Sequence, residues 1–147
     1  MGEKDLVIKN ANVITPFLFI ENGCVVVEDG KISEVGKMRE VSIPRGVDVI
    51  DAKGKYLAPG FIDVHTHGGM GKSFMTDSKE DINTITKFFA KNGTTGCLAT
   101  VTAPLFIEGK DVGTPVCRML GEFVRKGGNE GCQILGIHLE GPYLSPE

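Results

Sequence analysis

Apolar residues in the first third of the chain come in short bursts broken by polar residues and glycines. Leu6-Val7-Ile8 and Val13-Ile14 flank Asn10-Ala11-Asn12. Cys24-Val25-Val26-Val27 runs into Glu28-Asp29-Gly30-Lys31, and Ile32-Ser33-Glu34-Val35 then alternates strictly. Alternation places every second side chain on one face of a strand, and Asp-Gly between two β-branched runs is a hairpin signal. Val47-Asp48-Val49-Ile50 gives a further strand, closed by Asp51-Ala52-Lys53-Gly54. The pattern predicts a small antiparallel sheet with a structural role.

From Tyr56 onward the pattern changes to strand, helix, strand. The apolar run Phe61 to Val64 ends in His65-Thr66-His67 and two glycines. Ser78-Lys79-Glu80-Asp81 resembles a capping box with Ser78 as N-cap, and Ile82, Ile85, Phe88 and Phe89 share one helical face ahead of a stop at Gly93. A strand follows from Thr95 to Val101. Thr114, as N-cap, and Pro115, at the first helical position, open a second helix. Its apolar residues are Val116, Met119, Leu120, Phe123 and Val124, and Gly127-Gly128 ends it. Gln133 to Leu139 is a third strand, running into Glu140-Gly141-Pro142. Strands alternating with amphipathic helices predict parallel βα units, in an open doubly wound α/β sheet or at the start of a (β/α)8 barrel.

Composition narrows the class. With 41% apolar and 24% charged residues, the 147-residue chain reads as globular: one domain, or one small domain and part of another. A net charge of -3 with sixteen scattered Lys and Arg argues against a nucleic-acid surface. Cys24, Cys97, Cys117 and Cys132 are widely spaced and mostly beside apolar runs, which predicts buried free thiols in a reducing compartment. No apolar run approaches the ~20 residues of a membrane span, and the start is too polar for a signal peptide. The expected location is the cytoplasm.

The chemistry gathers at strand ends. His65 and His67 share a face two residues apart, with glycines turning the backbone away behind them. In parallel βα folds ligands collect beyond the carboxyl ends of the strands, so Glu140, which closes the third strand, falls on the same rim. Two imidazoles and a carboxylate without thiolate form a donor set for Zn2+ or Fe2+. His138, two residues before Glu140, reads as a ligand, a substrate contact or a packed support for the ligands. Asp63, two before His65, reads as an orienting partner for the histidines. Gly68-Gly69-Met70-Gly71-Lys72-Ser73 resembles a phosphate loop, but Thr66 stands where that pattern needs glycine and no helix pattern starts at Lys72.

These residues carry a resemblance. Pro-Gly-Phe-Ile-Asp-Val-His-Thr-His-Gly (59–68) resembles the first-strand signature of the amidohydrolase superfamily. His-Leu-Glu-Gly-Pro-Tyr (138–143) resembles a motif of its N-acetylglucosamine-6-phosphate deacetylases, whose second strand is similar to Gly93-Thr94-Thr95 and Leu98-Ala99-Thr100. The resemblance implies a β-sandwich portion over 1–57 and the first three βα units of a metal-dependent (β/α)8 TIM barrel over 58–147. It implies Glu140 as a direct metal ligand, His65 and His67 holding a second metal, and one or two zinc or iron ions in all. The implied reaction is hydrolysis of N-acetylglucosamine 6-phosphate to acetate and glucosamine 6-phosphate, with no catalytic acid/base residue inside these 147 residues and an aspartate for that role expected downstream. The 147 residues alone are therefore expected to be inactive, and to be ordered as a homo-oligomer such as a dimer or by association with the rest of the barrel. Alternatives are another amidohydrolase, dihydroorotase- or deaminase-like, and a non-catalytic metal-binding or assembly module.

Overall fold

The computed structural model describes residues 5–102, 106–141 and 145, and the chain divides into two units, Met1–Pro59 and Gly60–Glu147. Among the described residues no helix is long and apolar enough to cross a membrane.

The first unit is built around β1 (Leu6–Ile14). β2 (Phe19–Glu28) pairs antiparallel with β1, and β3 (Lys31–Lys37) antiparallel with β2. The β2–β3 turn has positive φ at both Asp29 (49°) and Gly30 (70°), the backbone a two-residue turn of this hand requires. β4 (Asp48–Asp51) and β5 (Tyr56–Leu57) also pair with β1, but parallel to it. The sheet, in order β3-β2-β1-β4, is thus mixed, which corrects the antiparallel expectation. A period of two fixes the face each side chain takes and says nothing about strand direction. Direction is set by the segment between β3 and β4, where Val41 is buried with Val7, Cys24 and Val26. Ala11, Val13 and Val25 form a separate buried cluster. Asn10, at φ 54°, interrupts the β1 register, and its side-chain amide donates to Asp51 Oδ1 at 3.0 Å.

In the second unit β6 (Phe61–Thr66) is followed by the short hairpin β7 (Gly68–Gly69) and β8 (Lys72–Ser73). Helix α1 (Lys79–Lys91), β9 (Thr94–Thr102), a second short hairpin of β10 (Phe106–Ile107) and β11 (Lys110–Asp111), helix α2 (Gly113–Lys126) and β12 (Gln133–Glu140) complete it. β9 lies between β6 and β12 and is parallel to both. Ile82 and Ile85 of α1 and Val116, Leu120 and Phe123 of α2 pack with Cys97, Ala99, Val101, Ile134 and Phe74 into one core. The helices therefore cover the face of β9 that carries its odd-numbered residues from 97 to 101, and Thr100 points the other way.

Capping agrees with expectation at α1 and departs from it at α2. Ser78 Oγ accepts from the Asp81 N–H at 3.2 Å. Helix α2 starts one residue before Thr114, whose N–H donates to Asp111 Oδ1 at 2.9 Å; Asp111, and not Thr114, supplies the cap oxygen. Pro115 fits because the first helical turn needs no hydrogen bond from its nitrogen. The start of β12 is held to α1, where the Cys132 N–H donates to the Thr86 carbonyl at 3.0 Å. A Cβ on Gly131 would stand 2.1 Å from the Thr86 carbonyl carbon, so only glycine allows this approach.

Candidate metal centre

Both outer strands carry one more residue than β9 beside the site. Asp63 pairs with Cys97 and Thr66 with Ala99, three steps on β6 against two on β9. Ile134 pairs with Cys97 and Gly136 with Leu98, two steps on β12 against one. Such bulges re-aim side chains at strand ends. Beyond them Thr66 is in register with Ala99, which faces the helices, so His65 and His67 face the other side. His138 is in register with Thr100 and Glu140 with Thr102, which places them on that same side.

Three of the candidate residues meet there. His65 Nε2 lies 3.3 Å and His67 Nε2 3.2 Å from a single oxygen, Glu140 Oε2. The potential ligand atoms of the three all lie within 4.8 Å of one another. An ion about 2.1 Å from tetrahedral nitrogen and oxygen ligands sets them about 3.4 Å apart, so the donor set fits a divalent metal with little rearrangement. The side chains are 49%, 54% and 35% exposed, leaving the position open to a further ligand. His67 is anchored to the core through its carbonyl, which accepts from the N–H of buried Phe74 at 2.8 Å.

His138 stands beside this cluster. Asp63, in register with Cys97 ahead of the bulge, instead follows the helix-facing side and does not share the face of the histidines as their spacing of two suggests. The His138 ring meets the His65 ring edge to face, with centroids 4.5 Å apart, and its Nδ1 lies 3.3 Å from Thr100 Oγ1. Asp63 Oδ1 accepts from the His65 backbone N–H at 3.1 Å, so its contact is with the main chain of β6. The cysteines are all free, and Cys97 and Cys132 are buried with Sγ atoms 3.6 Å apart. Burial pushes both thiols up from their ordinary range, and the Asp63 charge adds to this. The Lys72 Nζ is 2.9 Å from Asp81 Oδ1 and spans the hairpin and α1. Pro142 and Tyr143 of the third-strand motif lie outside the described residues.

Two residues of the site were not singled out from the sequence. Thr100, fully buried, accepts from the Thr66 N–H at 3.0 Å. The bulge takes that N–H out of the regular ladder, and the hydroxyl gives it a partner. The available signal was a threonine amid apolar residues on the middle strand. Phe74 carried no signal beyond its size.

Comparison with known proteins fits this geometry. Residues 48–109 match the amidohydrolase family. The N-acetylglucosamine-6-phosphate deacetylase of Bacillus subtilis (strain 168) is 32% identical over 148 residues, 98% of this chain and 36% of that protein. The chain is thus similar to the amidohydrolase family over part of its length. The Danio rerio protein of the same name is 39% identical over 102 residues, covering 67% of this chain and 24% of the relative. Among solved structures, the N-acetylglucosamine-6-phosphate deacetylase of Pasteurella multocida superimposes with a TM-score of 0.79 at 28% identity, over 97% of this chain and 35% of that one. The chain therefore spans between about a quarter and a little over a third of the length of these curated relatives.

Proposed function

We propose that the chain is the metal-holding part of an amidohydrolase that removes the acetyl group from N-acetylglucosamine 6-phosphate. The observation that carries this reading is the convergence of His65, His67 and Glu140 across strands 73 residues apart in sequence, inside a chain whose relatives bear that name. The strand order β6-β9-β12 follows the chain without reversal, which supports a barrel over a doubly wound sheet. The imidazole and carboxylate donors favour zinc or ferrous iron. When bound, the ion supplies Lewis acidity to the hydrolysis.

In this reading His65, His67 and Glu140 would hold the ion. Asp63 fixes the main chain at His65, and His138 packs against that ring to hold its orientation. Exposed apolar side chains on the outer strands, Phe61 at 72%, Ile62 at 63% and Leu139 at 54%, support a sheet covered by further polypeptide, whether a second copy or the rest of a barrel.

The substrate reading is tested by a chimaera in which these 147 residues replace the matching part of the Bacillus subtilis relative. Acetate release from N-acetylglucosamine 6-phosphate, lost on Glu140→Gln, is the expected result. A folded, zinc-binding chimaera that leaves this sugar intact would overturn the substrate. Turnover of N-acetylgalactosamine 6-phosphate instead would move the reading to the substrate named for another relative, from Escherichia coli O157:H7.

A further inference from the structure

We propose that Thr100 is a positioning residue whose hydroxyl donates to His138 Nδ1 and so places the proton of the neutral ring on Nε2. His138 then faces the cluster as a hydrogen-bond donor and not as a metal ligand. The inference rests on the metal-site reading above for its functional meaning, but its geometry stands independently.

The argument is one of proton accounting. A threonine hydroxyl has one proton to give and lone pairs to accept with. Thr100 is fully buried, and its oxygen accepts from the Thr66 N–H at 3.0 Å. Its other hydrogen-bond neighbour among the described residues is His138 Nδ1, at 3.3 Å. If Nδ1 carried the proton, the hydroxyl would accept twice and its own proton would be buried without an acceptor. Buried donors are rarely left in that state. The hydroxyl therefore donates to Nδ1, and the imidazole proton sits on Nε2.

A protonated Nε2 has no lone pair for an ion. His138 accordingly falls outside the group whose ligand atoms converge, although its ring touches His65. What it offers is an N–H beside the ligands, suited to an acceptor oxygen such as the carbonyl of an acetamido group. The same hydroxyl anchors the main chain between His65 and His67, so one residue of the middle strand sets both the ligand pair and the donor.

The test is ring-nitrogen NMR on the metal-free chain labelled with 15N-histidine, at about pH 8.5, two units above the ordinary histidine range. Three histidines are present, and His138→Asn assigns the resonances. The expected pattern is Nε2–H with a hydrogen-bonded, unprotonated Nδ1, retained in Thr100→Ser. Thr100→Val, of equal volume and without the hydroxyl, should shift Nδ1 to the value of an unbonded nitrogen and admit the second tautomer. Nδ1–H in the unsubstituted chain overturns the proposal without need of any variant. Unchanged His138 shifts in folded Thr100→Val overturn it equally. Because no metal is added, failure of zinc binding would count against the preceding reading and leave this one standing.

Discussion

Zinc should raise the thermal midpoint of this chain, and Glu140→Gln should abolish most of the rise. His65 Nε2 and His67 Nε2 stand 3.3 and 3.2 Å from Glu140 Oε2, near the about 3.4 Å edge of a tetrahedral site, so the folded chain should take an ion with little rearrangement. Unfolding separates His67 from Glu140 by 73 residues and disperses the site. A ligand restricted to the folded state stabilises it by about 2.7 kcal/mol at one hundred times its dissociation constant. For a chain of this length, about 2–4 °C per kcal/mol converts this to a rise of roughly 5–10 °C. Without metal the substitution should cost at most about 1 kcal/mol, because all three side chains are a third or more exposed and solvent screens the ion pairs. Differential scanning calorimetry with a zinc series, against a chelator control, measures both quantities. A midpoint that zinc leaves unmoved, or one that rises equally in Glu140→Gln, would refute the reasoning.

Further predictions concern the scaffold. Leu120→Ala, at a fully buried position of α2, should cost about 2–5 kcal/mol in urea denaturation. Gly131→Ala should weaken the chain and shift the amide signals of Thr86 and Cys132, since its Cβ would collide with backbone and not with a movable side chain. Hydrogen bonding from the Thr114 N–H holds the Asp111 carboxyl below the usual carboxylate range. That contribution to stability is complete above the unfolded value of about 3.9 and is lost as pH falls through the depressed folded value. Protection of the amides in the first turn of α2, measured as exchange relative to the intrinsic rate at each pH, should therefore fall below about pH 4, and Asp111→Ala should remove the dependence. Light scattering should report a mass above that of one 147-residue chain, and a well-ordered monomer would count against the covered-sheet reading.

The alternation of apolar and polar residues makes most elements legible in the sequence. The Asp29-Gly30 hairpin, the Ser78 cap and most of the core faces of both helices rest on local rules, and the structure has them; Phe88 and Val124, placed on those faces by spacing, are exposed. Strand direction in the first unit rests on the crossover near Val41, a tertiary matter. The α2 cap was misplaced because Asp111 and Thr114 both have a capping oxygen, and only backbone geometry chooses between them. His65, His67 and Glu140 were legible as strand-end residues, whereas the part played by Thr100 was not. Its hydroxyl matters because β6 carries one residue too many beside it, and no periodicity announces a bulge.

Those extra residues also divide the sequence into places where length can vary and places where it cannot. Strands β6 and β12 are phased against β9 within Asp63–Thr66 and Ile134–Gly136, on the approach to the open rim. A residue gained or lost in the loop at Gly127-Gly128 is absorbed before β12 begins and leaves the cluster intact. The same single-codon change at Val64 or Leu135 would turn a histidine pair or a glutamate through to the helix side. Natural and laboratory indels should therefore accumulate in that loop and be purged from two windows of three or four residues.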